Sequence, residues 1–168
     1  NNPLFCTQDV SRIVVDANQI GDWVDYYISN EKEMILYGFE TMNDYDEDNV
    51  ADWNDNANDI TKITIKDGVT SIGNFAFKNC IHLKSFHIPQ FVTSFERSIF
   101  EGCYNLRMLT VDNKNNHFQT LDNILLNKNG NHLIYFPPSI QHQHYIVPSS
   151  VEVFEENAFT YASMKSIS

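Results

Sequence analysis

The chain lacks any apolar run near the roughly 18–20 residues that a membrane-spanning helix needs. It is poor in positive charge. Eleven Lys and Arg stand against 22 Asp and Glu in 168 residues, a formal charge of −11, and such a balance repels phosphate backbones and argues against wholesale nucleic-acid binding. Three cysteines are too few for a disulfide scaffold, so cysteine use does not settle the compartment. Twenty asparagines are present and none stands in an Asn-x-Ser/Thr triplet, so N-linked glycan supplies no sign of export. A Gly-rich phosphate loop and a Gly-x-Ser-x-Gly element are also missing, which leaves nucleotide handling and serine hydrolysis without their usual parts. The chain opens at Asn1 with no charged-then-apolar leader. A processed mature end and an excised fragment both fit that start, and both leave secretion open.

What is present is an echo. Ile63, Ile65, Val69, Ile72, Phe77, Cys80 and Leu83 recur 23 positions later as Phe86, Ile88, Val92, Phe95, Phe100, Cys103 and Leu106. Self-similarity at a period of roughly 20–50 residues marks a stacked-repeat protein, in which no unit buries its apolar face alone. Two of the three cysteines occupy equivalent anchors, so Cys80 and Cys103 are predicted to be stacked, reduced core thiols. Function is then to be sought on a surface.

Each unit carries the strand pattern L-x-x-L-x-L, as Leu83-x-x-Phe86-x-Ile88 and Leu106-x-x-Leu109-x-Val111, with Ile60-x-x-Ile63-x-Ile65 before them. A bend follows, then a short helical turn that points Ile99, Phe100 and Cys103 inward. A further unit begins at Tyr145-Ile146-Val147-Pro148, matching Phe86 to Pro89 at an offset of 59, with one residue missing near Ala162. Between them, Ile124-Leu125-Leu126 and Leu133-Ile134-Tyr135-Phe136 flank a Gly-containing loop and predict a hairpin insert near residues 112–144.

The expected architecture is an α+β solenoid, with a parallel sheet on one face and short helical turns on the other. Residues 59–168 form the repeats, and residues 1–58 a β-rich N-terminal cap with an acidic loop at 43–59. Arg12-Ile13-Val14-Val15 and the runs 23–28 and 34–39 are its predicted strands. Because Ser168 falls inside a predicted strand, the array is expected to continue in a longer protein.

Val69-Thr-Ser-Ile-Gly-x-x-Ala-Phe-x-x-Cys-x-x-Leu83, followed by x-x-Phe-x-Ile-Pro89, resembles the BspA-like leucine-rich repeat. That family occurs in surface-exposed and secreted proteins of bacteria and parasitic protists. The resemblance covers residues 59–168, with a weaker likeness over 34–72, and none over 1–22. It implies a cell-surface or extracellular place and adhesion to a protein or glycan partner, such as host matrix or another cell, without catalysis. The alternative is an intracellular scaffold or signalling module using the same surface.

The solvent-facing positions of the strand pattern fall into columns: Thr61, Lys84, Arg107 and Lys165; Lys62, Ser85, Met108 and Ser166; Thr64, His87 and Thr110. In an acidic chain, Lys62, Lys84, Arg107 and Lys165 on one concave face, with His87 and Thr110 beside them, point to an anionic or acidic partner, against the alternative of an ordinary solvated sheet. Asp44-x-Asp46-x-Asp48-Asn49-x-x-Asp52-x-x-Asp55 follows the oxygen-ligand spacing of an EF-hand calcium loop. Asn49 replaces its glycine and Asp55 its glutamate, so a solvated acidic connection competes with calcium. His142-x-His144 places two imidazoles on one side of an extended segment but has no third ligand. No cofactor is otherwise implied.

Overall fold

The computed structural model describes residues 10–11, 23–96, 98–140 and 144–168. The predicted strand at Arg12 to Val15, Cys6 and His142 lie outside them. The strands in order are β1 (Val10–Ser11), β2 (Trp23–Ser29), β3 (Glu33–Thr41), β4 (Lys62–Ile65), β5 (Val69–Ile72), β6 (Ser85–Ile88), β7 (Ser94–Phe95) and β8 (Met108–Val111). They continue with β9 (Phe118–Leu121), β10 (Ile124–Asn127), β11 (His132–Tyr135), β12 (His144–Tyr145), β13 (Val153–Phe154) and β14 (Ser166–Ile167).

The 23-residue offset appears directly as strand register. β6 pairs with β8 in parallel, Ser85 to Met108 through Ile88 to Val111, and β5 pairs with β7, Ser71 to Ser94 and Ile72 to Phe95. Each unit therefore contributes to two parallel ladders. β3 serves both of them at one end: Glu33 to Leu36 pair with Lys62 to Ile65, then Glu40 and Thr41 pair with Val69 and Ser71. Its other edge is taken by β2, antiparallel from Trp23↔Phe39 to Ile28↔Met34. One nine-residue strand spans two four-residue strands because Lys66 N donates to Leu36 O and Glu40 N to Gly68 O across the bend.

The ladders are not one continuous sheet. β4 packs beside β6 without a shared ladder, and β12–β14 form a separate two-stranded sheet. β9, β10 and β11 form an antiparallel meander, and β11 then pairs in parallel with β13.

Among the described residues there is no α-helix; the only helix is the six-residue 3-10 turn Asn54–Asp59. Where helical turns are predicted after each bend, the chain makes i→i−3 turns, with Lys78 N donating to Phe75 O and Glu101 N to Ser98 O. The reason is competition for donors. Phe77 N donates to Ile99 O (3.0 Å) and Asn79 N to Glu101 O (2.7 Å), so alternate N–H groups are committed to the neighbouring unit and cannot reach i−4 carbonyls. A left-handed residue ends the turn in three units: Asn79 (φ 62°), Gly102 (φ 77°) and Tyr161 (φ 69°). At Gly102 a Cβ would also lie 2.3 Å from Asn79 Oδ1, so the close stacking of the first two turns requires glycine there.

Two cores result. The larger joins Tyr26, Met34 and Leu36 of the β2–β3 hairpin to the anchors Ile63, Ile65, Val69, Ile72, Phe77, Phe86 and Phe100. Phe100 is its hub, with ring centroids 4.9 Å from Phe86, 5.9 Å from Phe77 and 5.6 Å from Tyr135, and each such pair adds about 0.5–1.5 kcal/mol beyond burial. The smaller core gathers Ile124, Leu126, Leu133, Phe136, Ile140, Tyr145 and Ala158. β10 is the wall between them, because its alternating faces send Leu125 to the first core and Ile124 and Leu126 to the second.

Asn115 marks the seam. It stands 23 positions after Val92, in the place of an apolar anchor, and is fully buried. Its amide is satisfied on every side. Nδ2 donates to Pro89 O (2.8 Å) and Val92 O (2.9 Å), while Oδ1 accepts from His117 N (2.8 Å) and Phe118 N (2.9 Å). Those bonds turn the chain into β9, so the side chain that occupies an anchor slot also launches the meander.

Candidate functional site

The exposed face of β6–β8 is set by strand alternation. Phe86, Ile88 and Leu109 are buried, and Ser85, His87, Met108 and Thr110 face solvent. His87 Nδ1 and Thr110 Oγ1 are 2.9 Å apart across the two strands. Just before the strands, Arg107 N donates to Lys84 O (3.1 Å), which stacks these two exposed cations in one column. Among the described residues neither is in an ion pair. Two like charges held side by side raise the local positive potential of an otherwise acidic chain.

The predicted cluster does not assemble as a whole. Lys62 Nζ lies 2.8 Å from Glu33 Oε1, on the strand that β4 pairs with, and Thr64 Oγ1 donates to the same oxygen at 2.6 Å. The hydrogen bond from Lys62, then that from Thr64, holds the Glu33 carboxyl below its ordinary range. Lys32, which precedes Glu33, is likewise paired to Asp59 at 2.7 Å. The positive column is therefore offset at β3 and β4. Lys165 immediately precedes β14 of the separate β12–β14 sheet, where His144 bonds Ser166. The structure brings together Lys84, His87, Arg107 and Thr110; it sets Lys62 and Lys165 apart from them.

In the acidic connection, the carboxylates serve the backbone. Asp46 Oδ1 accepts from Asp48 N (2.8 Å) and Asn49 N (2.7 Å), and Asp44 Oδ1 from Asn74 N (2.7 Å). Trp53 Nε1 donates to Ala76 O at 2.7 Å and fastens this segment to the first repeat turn. Strand β3, not a helix, precedes it. Among the described residues no three His, Cys, Asp or Glu side chains form a group able to hold a metal, so Asp44, Asp46, Asp48, Asp52 and Asp55 do not converge as calcium ligands. The spacing has the right residue types, but Asp46 spends Oδ1 on an Asx turn and Asp44 spends Oδ1 on the backbone N–H of Asn74.

Cys80 and Cys103 are free and buried, and Cys103 Sγ donates to Phe77 O at 3.0 Å. The adjacent Cys80 thiol, then burial, pushes the Cys103 thiol well above its ordinary range, so Cys103 is not arranged as a nucleophile. No helix among the described residues is long and apolar enough to cross a membrane.

Comparison with known proteins places this geometry. A family model described as the BspA type leucine rich repeat region matches residues 54–168 in six copies. The chain belongs to that family. The matched residues hold the parallel β6–β8 pair in 23-residue register and the turns that follow the strands. Among solved structures, the chain is similar to a leucine rich cell surface protein from Faecalibacterium prausnitzii A2-165, with 28% identity over 65% of this chain and 31% of that one, and a TM-score of 0.53. It is also similar to the pneumococcal vaccine antigen PcpA, with 23% identity over 63% of this chain and 27% of that one, and a TM-score of 0.59, which speaks to fold. A leucine-rich repeat protein from Eubacterium ventriosum ATCC 27560 matches 88% of this chain and 58% of its own at 17% identity, with a TM-score of 0.47. The chain thus spans less than two thirds of each of these structures. No curated protein matches the chain.

Proposed function

We propose that this BspA-type chain is a solenoid interaction module of a cell-surface or secreted protein, without catalysis, that adheres to a protein or glycan partner through the exposed face of β6–β8. Lys84 and Arg107 supply the attraction for an anionic or acidic patch, with His87 and Thr110 beside them as hydrogen-bonding groups and Met108, 45% exposed, as an apolar contact. The observation that carries the reading is the pairing of Arg107 N to Lys84 O, which makes one unneutralised cationic column of two residues 23 apart. Support for the location comes from the Faecalibacterium relative, whose description is that of a cell surface protein. On this reading the β2–β3 hairpin is the cap of the first rung, which explains why β3 meets both ladders and buries Met34 and Leu36 against them.

Two measurements test it. Antibody labelling of intact cells that express the protein should stain them; staining only after permeabilisation would favour an intracellular scaffold. Charge reversal at Lys84 and Arg107 together should lower adhesion to a matrix- or glycan-coated surface by about tenfold or more and flatten its dependence on salt. Adhesion unchanged in that variant would remove this face from the interaction.

A further inference from the structure

We infer that the cleft between the turns at residues 98–103 and 157–161 is a second binding site, on the turn side of the repeats, and that the ligand class it takes is a neutral saccharide unit. The cleft exists because the stacking rule of the first two turns fails at this point. Phe77 N and Asn79 N close onto Ile99 O and Glu101 O, leaving no gap. The next matching turn sits 59 positions on, and its Ala158 carbonyl instead accepts from Phe136 N (2.8 Å) at the end of the meander. The two turns are held apart by Tyr135 and Phe136, and a cavity of about 110 Å³ remains between them.

Its lining has the composition of a sugar subsite. Ser98, Glu101, Asn157 and Thr160 offer short hydrogen-bonding groups around an aromatic floor of Tyr135 and Tyr161. At the lip, Tyr161 meets Tyr104 edge to face with centroids 5.2 Å apart, and the two are 45% and 54% exposed. Aromatic faces of this kind match the C–H faces of a pyranose. The Glu101 carboxylate is offset by Lys78 at 2.9 Å, so the site has little net charge and favours an uncharged ligand. The volume takes a hydroxymethyl or acetamido arm, with the ring left on the tyrosines.

A second observation points the same way. Tyr135 is 5% exposed, lines the cavity, and among the described residues its hydroxyl has no hydrogen-bond partner. Burying a hydroxyl unpaired is costly, and a native structure that does so calls for an explanation. Burial, then the nearby Cys103 and Tyr161, raises this phenol's pKa, so it stays a neutral donor at every physiological pH. Tyr161 meanwhile holds φ 69°, where the equivalent positions carry Asn79 and Gly102. A bulky residue kept in the left-handed region is retained against backbone cost.

The test is saturation-transfer NMR on the whole chain with free glucose, galactose, N-acetylglucosamine and N-acetylgalactosamine as probes, followed by titration of any that respond. At least one should bind, and Tyr161→Gly should weaken it about fivefold to tenfold, the loss of one aromatic platform. Glycine suits the backbone at this position, so the melting temperature should hold and weakened binding cannot be assigned to unfolding. Tyr135→Phe should weaken the same sugar without loss of stability, while Lys84→Glu, on the other face, should leave it unchanged. Absence of binding by all four sugars, or binding that survives Tyr161→Gly, would overturn the inference and leave the Lys84–Arg107 proposal standing.

Discussion

Phe100 and Phe159 hold the same place in their units, 59 residues apart, yet one is the fully enclosed hub of the larger core and the other a half-buried member of the smaller one. Both follow a bend and both sit in an i→i−3 turn. What differs is the neighbour. Phe100 has a repeat turn on one side and the meander on the other, and its ring reaches Phe77, Phe86, Phe95 and Tyr135. Phe159 has Phe136 on one side and Phe154, itself half exposed, on the other. A repeat unit in this fold therefore has no fixed stability of its own; it takes most of it from what is stacked against it.

That contrast can be broken by truncating the two rings. Phe100→Ala should cost about 3–5 kcal/mol in urea unfolding, and Phe159→Ala about 1–2 kcal/mol. Equal losses would mean that the two cores unfold as one unit and that position in the repeat outweighs packing. The seam between the regions is probed by Asn115→Val, which restores the residue type of Val69 and Val92 but strips four hydrogen bonds from Pro89, Val92, His117 and Phe118. A loss of about 3 kcal/mol is expected from the stranded backbone groups, read by the same unfolding curves. A gain would show that the meander is launched by something other than this amide.

Smaller effects sharpen the picture. Tyr135→Phe removes a buried hydroxyl without a partner among the described residues and should raise stability by about 1 kcal/mol, measured as a shift in melting temperature. At the β3 edge, Glu33 is held below its ordinary value of 4.5 by Lys62 and Thr64. A depressed carboxylate stabilises the fold above its ordinary value, and this contribution disappears as pH falls through the lower folded value. Glu33→Gln should flatten acid unfolding there by less than about 1 kcal/mol, since the Lys62 side chain is 64% exposed.

Much of the fold was legible because anchors become register: Phe86 above Leu109 and Ile88 above Val111 are strand partners at the spacing at which they recur. The echo is plain in the apolar residues only as far as Val111, whereas it runs on through Asn115 and Phe118, 23 after Val92 and Phe95. A polar residue in an apolar slot hides the continuation, because a pattern of hydrophobicity cannot register an amide whose bonds are all satisfied. The site was legible as columns but not as charges. Nothing local to Lys62 reveals Glu33, which pairs with it from a non-repeat strand 29 residues earlier. The acidic stretch shows the opposite case: its spacing is that of a metal loop, while Asp44 and Asp46 each accept backbone N–H groups at Oδ1. The tyrosine-lined cleft was invisible, since it comes from two units that would have stacked had the meander not intervened.

The paired thiols of Cys80 and Cys103 also serve as a clock. Both are sealed inside the stack, and the thiolate that any alkylating reagent needs is suppressed at Cys103. With Cys6 replaced by serine, reagent uptake would proceed only when adjacent rungs part. The rate at which label accumulates would then time the breathing of the array from within, at the junction between its first two regular units.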